Sequence, residues 1–154
     1  MAEGELFKTA LSKSMALCSQ REYCCNDIRE KLISWKIGSN DVERIISALV
    51  KEKFIDEERY SSAFVKDRFK HNKWGRVKIS AHLKAKSIPA ETIRAALDSI
   101  DYEQYRNTLE DILISHRRVI KAKNRYDLKG KLLRYGLSKG FESALLYDLL
   151  NDLD

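Results

Sequence analysis

The residues best placed to do chemistry in this chain are its cations. Lys66, Arg68, Lys70, Lys73, Arg76, Lys78, Lys84 and Lys86 fall within residues 66–86, where Asp67 is the one carboxylate. Arg117, Arg118, Lys121, Lys123, Arg125, Lys129, Lys131 and Arg134 fall within residues 117–134, where Asp127 is the one carboxylate. Each window nets +7, whereas the whole 154-residue chain nets +6. Charge of one sign gathered in this way suits an extended anion, and a nucleic-acid backbone is the leading candidate. A single run of this kind reads most simply as a solvated helix face. Two runs at corresponding places in a repeating chain favour a ligand that itself repeats.

Groups suited to covalent or metal chemistry are sparse. Cys18, Cys24 and Cys25 contain no C-x-x-C, and His71, His82 and His116 do not pair at metal-ligand spacing. Lys129-Gly130-Lys131 lacks the rest of a phosphate-binding loop. Glu57 and Glu58 are explained by the positive end of a helix rather than by acid–base work. The expectation is a non-enzyme with no cofactor and no metal. A cysteine-dependent enzyme stays open as an alternative, because a Cys–His pair can meet in space. Three cysteines, two of them adjacent, read as reduced thiols, so a cytoplasmic, monomeric protein is expected. No stretch approaches the roughly 18 uncharged apolar residues of a membrane span, and Met1-Ala2-Glu3-Gly4-Glu5 lacks the order of a signal peptide.

The elements that position the cations follow from composition and spacing. Hydrophobic residues make up 44% of the chain and charged residues 34%, with six Gly and one Pro, too few for a many-turned β protein. Apolar residues recur at three- and four-residue intervals, which predicts amphipathic helices. A repeat is visible too: Ile28, Leu32, Ile37, Val42 and Ile46 are followed 51 residues later by Ile79, Leu83, Ile88, Ile93 and Leu97. Leu128, Leu132 and Leu137 follow 49 residues after Ile79, Leu83 and Ile88, then Phe141 and Leu145 continue the pattern.

The spacing predicts an all-α chain with helices over 5–20, 25–36, 40–53, 56–72, 75–86, 89–99, 102–122, 124–136 and 138–152. These group into three tandem three-helix repeats, residues 1–53, 54–100 and 101–154. Short connections predict an elongated, curved array. Asp56 and Asp101 are expected N-caps, Asn40 with Glu43 reads as a capping box, and Pro89 fits a first helical turn. The repeat aligns Cys24, Gly75 and Asn124 at one N-cap position, where Cys is the poor choice. Tyr23 and Trp74 precede that cap at hydrophobic-staple spacing. A helix-turn-helix reading would present Asn40-Asp41-Val42-Glu43 and Pro89-Ala90-Glu91-Thr92 to bases. These starts are acidic or apolar and make poor base readers.

Phe54-Ile55-Asp56-Glu57-Glu58-Arg59-Tyr60, then Ala63-Phe64-Val65 and Arg68, resembles the central signature of the RecX regulatory proteins. Trp74-Gly75, Ile79, Leu83, Lys86, Ile88-Pro89, Ile93 and Ala96-Leu97 extend it, and Arg21-Glu22-Tyr23 through Ile28 and Leu32 is similar to the family's first motif. Cys24 stands where the family usually has Ser. Ser87 and Trp35-Lys36 replace its usual Lys-Gly helix ends. The resemblance implies an all-helical modulator of the RecA recombinase. Such a protein lies in the groove of the RecA filament on single-stranded DNA and typically inhibits its ATPase and strand exchange. The implied partners are that nucleoprotein filament and single-stranded DNA, with duplex DNA weaker. The sixteen cations above are the candidate contacts, and Asp56, Glu57 and Glu58 are candidates for meeting protein. A stand-alone nucleic-acid-binding module without RecA is the alternative.

Overall fold

The structure, a computed structural model, describes residues 2–152. Helices succeed one another through short turns: α1 Ala2–Gln20, α2 Cys25–Ser34 and α3 Ser39–Lys51; α4 Glu57–Asn72, α5 Arg76–Ala85 and α6 Ala90–Asp98; α7 Tyr102–Arg117, α8 Arg125–Ser138 and α9 Ser143–Asn151. Among the described residues all regular structure is helical, and no helix is long and apolar enough to cross a membrane. The accessible surface is 9872 Å². A compact monomer of this mass would expose about 8,000 Å², so the chain is drawn out rather than rounded.

Several helix starts carry the side chains expected of them. Asp56 Oδ1 accepts from the Glu58 and Arg59 N–H groups at 3.0 and 3.1 Å, and Asp101 Oδ2 accepts from Gln104 N–H at 3.0 Å. Asn124 Oδ1 accepts from Asp127 N–H at 2.8 Å. The expected capping box at Asn40 does not form. Gly38 is the N-cap, Asn40 lies inside the first turn, and Glu43 instead pairs with Arg29 at 3.0 Å. Pro89 is itself the N-cap of α6. Cys24 and Asp27 form a capping box: the Asp27 carboxylate reaches back to accept from the Cys24 N–H at 3.3 Å, and the Cys24 side chain faces the Asp27 N–H.

The middle helices of the first two trios end alike. Lys36 (φ 64°) and Ser87 (φ 62°) take the left-handed conformation, and the next residue turns into the core. Ile37 N–H donates to the Leu32 carbonyl at 3.1 Å and Ile88 N–H to the Leu83 carbonyl at 3.2 Å. In the third trio Phe141 N–H donates to the Gly136 carbonyl at 3.2 Å, after Gly140 at φ 90°. Phe141 is therefore the counterpart of Ile37 and Ile88, and the sequence register that gave this place to Leu137 is off by four residues. α8 has an extra helical turn, Leu137 stays 46% exposed, and α9 begins five residues later than the spacing predicts. α7 also stops early, at Arg117 rather than 122.

Two hydrophobic clusters hold the chain together. One, around Ile28, Leu32, Val42, Ile45 and Leu49, serves α1–α3. The other runs unbroken from Tyr60 in α4 to Leu150 in α9. The second and third trios thus share a core. Tyr105 fills its centre, fully buried, with ring centroids 5.7 Å from Phe69 and 5.1 Å from Phe141. Its hydroxyl accepts from the Arg76 N–H at 2.8 Å and donates to Glu142 Oε1. A backbone seam reinforces the contact: Gly75 N–H donates to the Lys139 carbonyl at 2.7 Å and Val77 N–H to the Gly140 carbonyl at 2.9 Å. A Cβ on Gly75 would lie 2.3 Å from the Gly140 oxygen, and one on Gly140 would lie 2.2 Å from Lys78 Cβ.

The joint between the first and second trios is polar. Glu57, at the start of α4, accepts from the Cys25 N–H at 3.1 Å and so satisfies a free amide of α2. Arg59 Nε donates to Glu22 at 2.7 Å, and its Nη2 donates to the Lys53 carbonyl at 3.1 Å. Lys86 Nζ donates to Asp27 Oδ1 at 2.7 Å. Burial pushes the Asp27 carboxyl up, but the Lys86 ammonium and the Cys24 N–H together hold it below the usual carboxylate range.

Two predictions follow from these joints. Gly140→Ala, which adds both a left-handed penalty and a clash, should lower unfolding free energy by more than about 2 kcal/mol. Ser87→Gly should raise it by about 1 kcal/mol by relieving the same penalty at a place with no clash. Urea denaturation of both variants checks the pair, and equal effects would refute the account. Asp27→Asn should cost about 1 kcal/mol at pH 7. Because the folded carboxyl titrates below its unfolded value, this contribution is complete above the unfolded pKa and disappears as pH drops through the folded one. The gap between parent and variant should therefore close below about pH 4. A gap that stays constant with pH would rule out the carboxylate as its source.

Candidate nucleic-acid interface

The central basic window does not form one strip. Lys66 and Lys70, four residues apart on α4, share a face, and Lys73 follows at the left-handed end of the helix (φ 58°). Their side of α4 faces the start of α7 across a cleft of about 440 Å³, lined also by Phe69, Ser99, Ile100, Gln104 and Thr108. No carboxylate is among the described lining residues. Three ammonium groups beside amide and hydroxyl donors make a place for a phosphate chain.

Other cations of that window are turned to different work. Arg68 pairs with Asp67 at 3.1 Å and lies over the Phe64 ring at 4.9 Å. Lys78 lies 4.6 Å over Trp74, whose ring also packs against His82 at 4.5 Å. Arg76 pairs with Glu142 at 3.5 Å and covers Tyr105 at 4.2 Å, and Lys86 is taken by Asp27. Arg76 and Lys86 are thus parts of internal joints, although each keeps part of its side chain exposed. Lys84 is exposed and shares a cleft of about 280 Å³ with Arg76 and Arg94, a cation outside both windows.

The third-trio window divides similarly. Arg117 closes α7, and Arg118, Lys121 and Lys123 lie on the connection to α8. Lys131 Nζ donates to the Lys121 carbonyl at 2.6 Å and pairs with Asp127 at 3.2 Å, so this cation secures the connection. Asp127 also accepts from the Lys123 N–H at 3.0 Å; that bond first, and then Lys131, hold its carboxyl below the usual range. Arg125, Lys129 and Arg134 lie along α8. The two windows share a place in the repeat but not a register. With the 49-residue offset, Lys78 corresponds to Asp127 and Lys84 to Leu133.

The acidic candidates separate as well. Asp56 caps α4 and Glu57 caps α2, which leaves Glu58 as the exposed carboxylate of the three. Asp56, Glu57 and Glu58 are all candidates for meeting protein in the sequence reading, and the first two also make bonds within the chain. Burial pushes the Cys24 and Cys25 thiols up to about 11, so both are protonated at neutral pH. Burial also pushes up the Tyr60 hydroxyl, which sits beside Cys24. Among the described residues no group of His, Cys, Asp and Glu comes together in a way that could hold a metal ion. The spacing reading missed the role of the tyrosines. Tyr60 and Tyr105 each stand four residues after a capping aspartate, and each meets the start of the preceding middle helix. That D-x-x-x-Y pattern was present in the sequence. It also missed Lys139, whose Nζ donates to the Asn72 carbonyl at 2.8 Å across the second and third trios.

Residues 56–97, the stretch that carries Lys66, Lys70 and Lys73, match the family profile described as "RecX, second three-helix domain". The chain is 28% identical over 147 residues to a protein of Clostridium beijerinckii named Regulatory protein RecX, covering 94% of this chain and 68% of that one. It is 30% identical over 129 residues to the Regulatory protein RecX of Clostridium tetani, covering 82% of this chain and 58% of that one. The chain therefore spans roughly three-fifths to two-thirds of the length of these curated relatives. A crystal structure titled regulatory protein RecX matches with a TM-score of 0.89 at 22% identity, over 98% of this chain and 74% of that one. The RecX of Lactobacillus salivarius matches with a TM-score of 0.84 at 17% identity, over 98% of each chain. The fold is common to these structures, and the sequence likeness to the RecX regulatory proteins runs along most of the chain from its central motif outward.

Proposed function

We propose that this chain regulates a RecA recombinase by lying along the groove of the RecA–single-stranded DNA filament, and that it inhibits ATP turnover and strand exchange there. The observation that carries the reading is the cleft where Lys66, Lys70 and Lys73 of the family-matching stretch face Ser99, Ile100, Gln104 and Thr108, with no carboxylate among its described lining residues. In this reading the units 1–53, 54–100 and 101–154 act as successive modules along the filament. Lysines of α4 and the cationic α7–α8 connection approach DNA, while Glu58 and neighbouring helix surfaces approach RecA. A bound regulator alters the filament only through its unequal affinity for two filament states. The chain therefore inhibits if it fits the groove geometry of one state and hinders the change that ATP hydrolysis requires.

A stand-alone nucleic-acid-binding module is the second reading, favoured by the same lysine cleft taken without a protein partner. Binding to bare single-stranded DNA and to RecA-coated DNA at equal salt, with RecA ATPase followed, separates the two. Preference for the coated strand with loss of ATPase supports the filament reading. Tighter binding to the bare strand without effect on RecA supports the other.

The lysine triple is the direct test of the interface. Lys66→Glu, Lys70→Glu and Lys73→Glu together should weaken binding to the coated strand while helical content is retained. Loss of three phosphate contacts should flatten the dependence of log affinity on log salt by about 2. An unchanged slope would mean that these lysines face solvent in the complex.

A further inference from the structure

The third trio holds a cleft of a different character. It is formed by residues of α8 and α9, has a volume of about 400 Å³, and has Tyr126, Tyr147, Leu133 and Arg134 in its lining. Tyr126 is 89% exposed, more than any other large apolar side chain among the described residues, and Tyr147 is 55% exposed. Neither ring is needed by the core. The Lys66–Lys70–Lys73 cleft, by contrast, offers cations and a single buried phenylalanine face.

Gly130 is the second observation. It lies six residues into the fourteen-residue α8, where glycine weakens a helix relative to nearly any other residue. No packing accounts for it: a Cβ there would meet Arg134 Nη1 at 3.6 Å, an ordinary contact. Gly75, Gly136 and Gly140, in contrast, each sit against an atom that a Cβ would strike. Gly130 lines the same cleft as the two tyrosines, so the missing side chain leaves room there. Asp127, the carboxylate of the lining, is engaged by Lys131 and by the Lys123 N–H, so its charge is offset within the chain. Arg118, Lys121, Lys123 and Arg125 lead along the sequence to Tyr126.

We infer that the α8–α9 cleft is a base-binding site for single-stranded nucleic acid, with Tyr126 and Tyr147 stacking on an unpaired base while the cations of the α7–α8 connection follow its backbone. Aromatic faces beside a cationic track are the means by which proteins hold single strands without reading sequence. A duplex keeps its bases stacked on one another and offers no face to the rings. The site therefore selects single strands, whereas the lysine cleft responds to phosphates in either form. The inference deepens the filament reading and rests on it for its biological setting, but the site itself is tested without RecA.

The test uses the full chain and a fluorescein-labelled oligothymidylate of about 15 nucleotides, with the matching duplex as control. Gly130→Leu improves the helix and fills the cleft, so melting temperature should rise or hold while single-strand affinity falls roughly tenfold or more. Tyr126→Ala should lower single-strand affinity to a similar extent, Tyr126→Phe should keep it, and duplex affinity should be unchanged in all three. Failure of the parent chain to bind the oligomer at low salt would overturn the proposal, as would parent-like binding by both Gly130→Leu and Tyr126→Ala. Equal losses on single strand and duplex would also overturn it. If the variants bind the bare oligomer like the parent but lose RecA-coated DNA, the cleft docks protein: the base site fails and the filament reading stands. If the variants behave as expected on the bare oligomer but the parent has no effect on RecA ATPase, the base site stands and the filament reading fails.

Discussion

The contact on which the rest of this molecule depends is the close approach of two glycine-bearing backbone segments. Gly75 and Val77, at the start of α5, donate to the carbonyls of Lys139 and Gly140 at the end of α8. Free amides at a helix start would normally be met by a capping side chain or by water. Here they are met by the terminal carbonyls of another helix, so two sets of orphan groups satisfy each other. The approach is close enough that a methyl group on either glycine would collide. Tyr105 and Glu142 complete the seam with one hydroxyl and one carboxylate. Burial, with the Glu142 carboxylate beside it, raises the Tyr105 hydroxyl far above its ordinary pKa, so it remains a neutral donor. The second and third trios consequently share one core.

The first trio is attached differently. Its own apolar cluster is separate, and the joint to α4 is made of Glu57, Arg59, Asp27 and Lys86, with Cys24 reaching into the neighbouring core. Most of the central family motif is spent here. Ile55 is buried, Asp56 caps, Glu57 caps at a distance, Arg59 ties the turn, and Tyr60 packs beside Cys24. The motif is thus an instruction for joining trios. The cations that the joint does not use lie around it: Lys66, Lys70 and Lys73 on one side and the α7–α8 connection on the other. Division of labour between a structural motif and a cationic periphery explains why both charge signs are abundant in so small a chain.

Much of the architecture was legible along the chain because helices are local. Apolar residues three and four apart marked the helices, and aspartate or asparagine at Asp56, Asp101 and Asn124 marked where three of them begin. The third repeat was misread for a physical reason. Leu137 and Phe141 are both apolar and lie four residues apart, one helical turn, so periodicity alone could not tell which of them leaves the helix. The positive φ of Gly140 decides it, and glycine at that place was the available signal. The overlong α7 has a similar origin, since residues 118–122, Arg-Val-Ile-Lys-Ala, are compatible with a helix by type, but Val119 stays 76% exposed with no core to cover it.

The sequence by itself determined an all-helical chain, the place of each middle helix, the apolar faces and the two concentrations of positive charge. Composition and short-range spacing encode all of these, because each depends on neighbours within a turn or two. Tertiary structure alone decided which cations remain available. Lys86 is neutralised by Asp27 from 59 residues away and Arg76 by Glu142 from 66 residues away, while Lys66, Lys70 and Lys73 meet a cleft with no carboxylate among its described lining residues. Ion pairing falls off over a few ångströms and takes no account of distance along the chain. A count of charges in a window therefore cannot show which of them the fold has already matched.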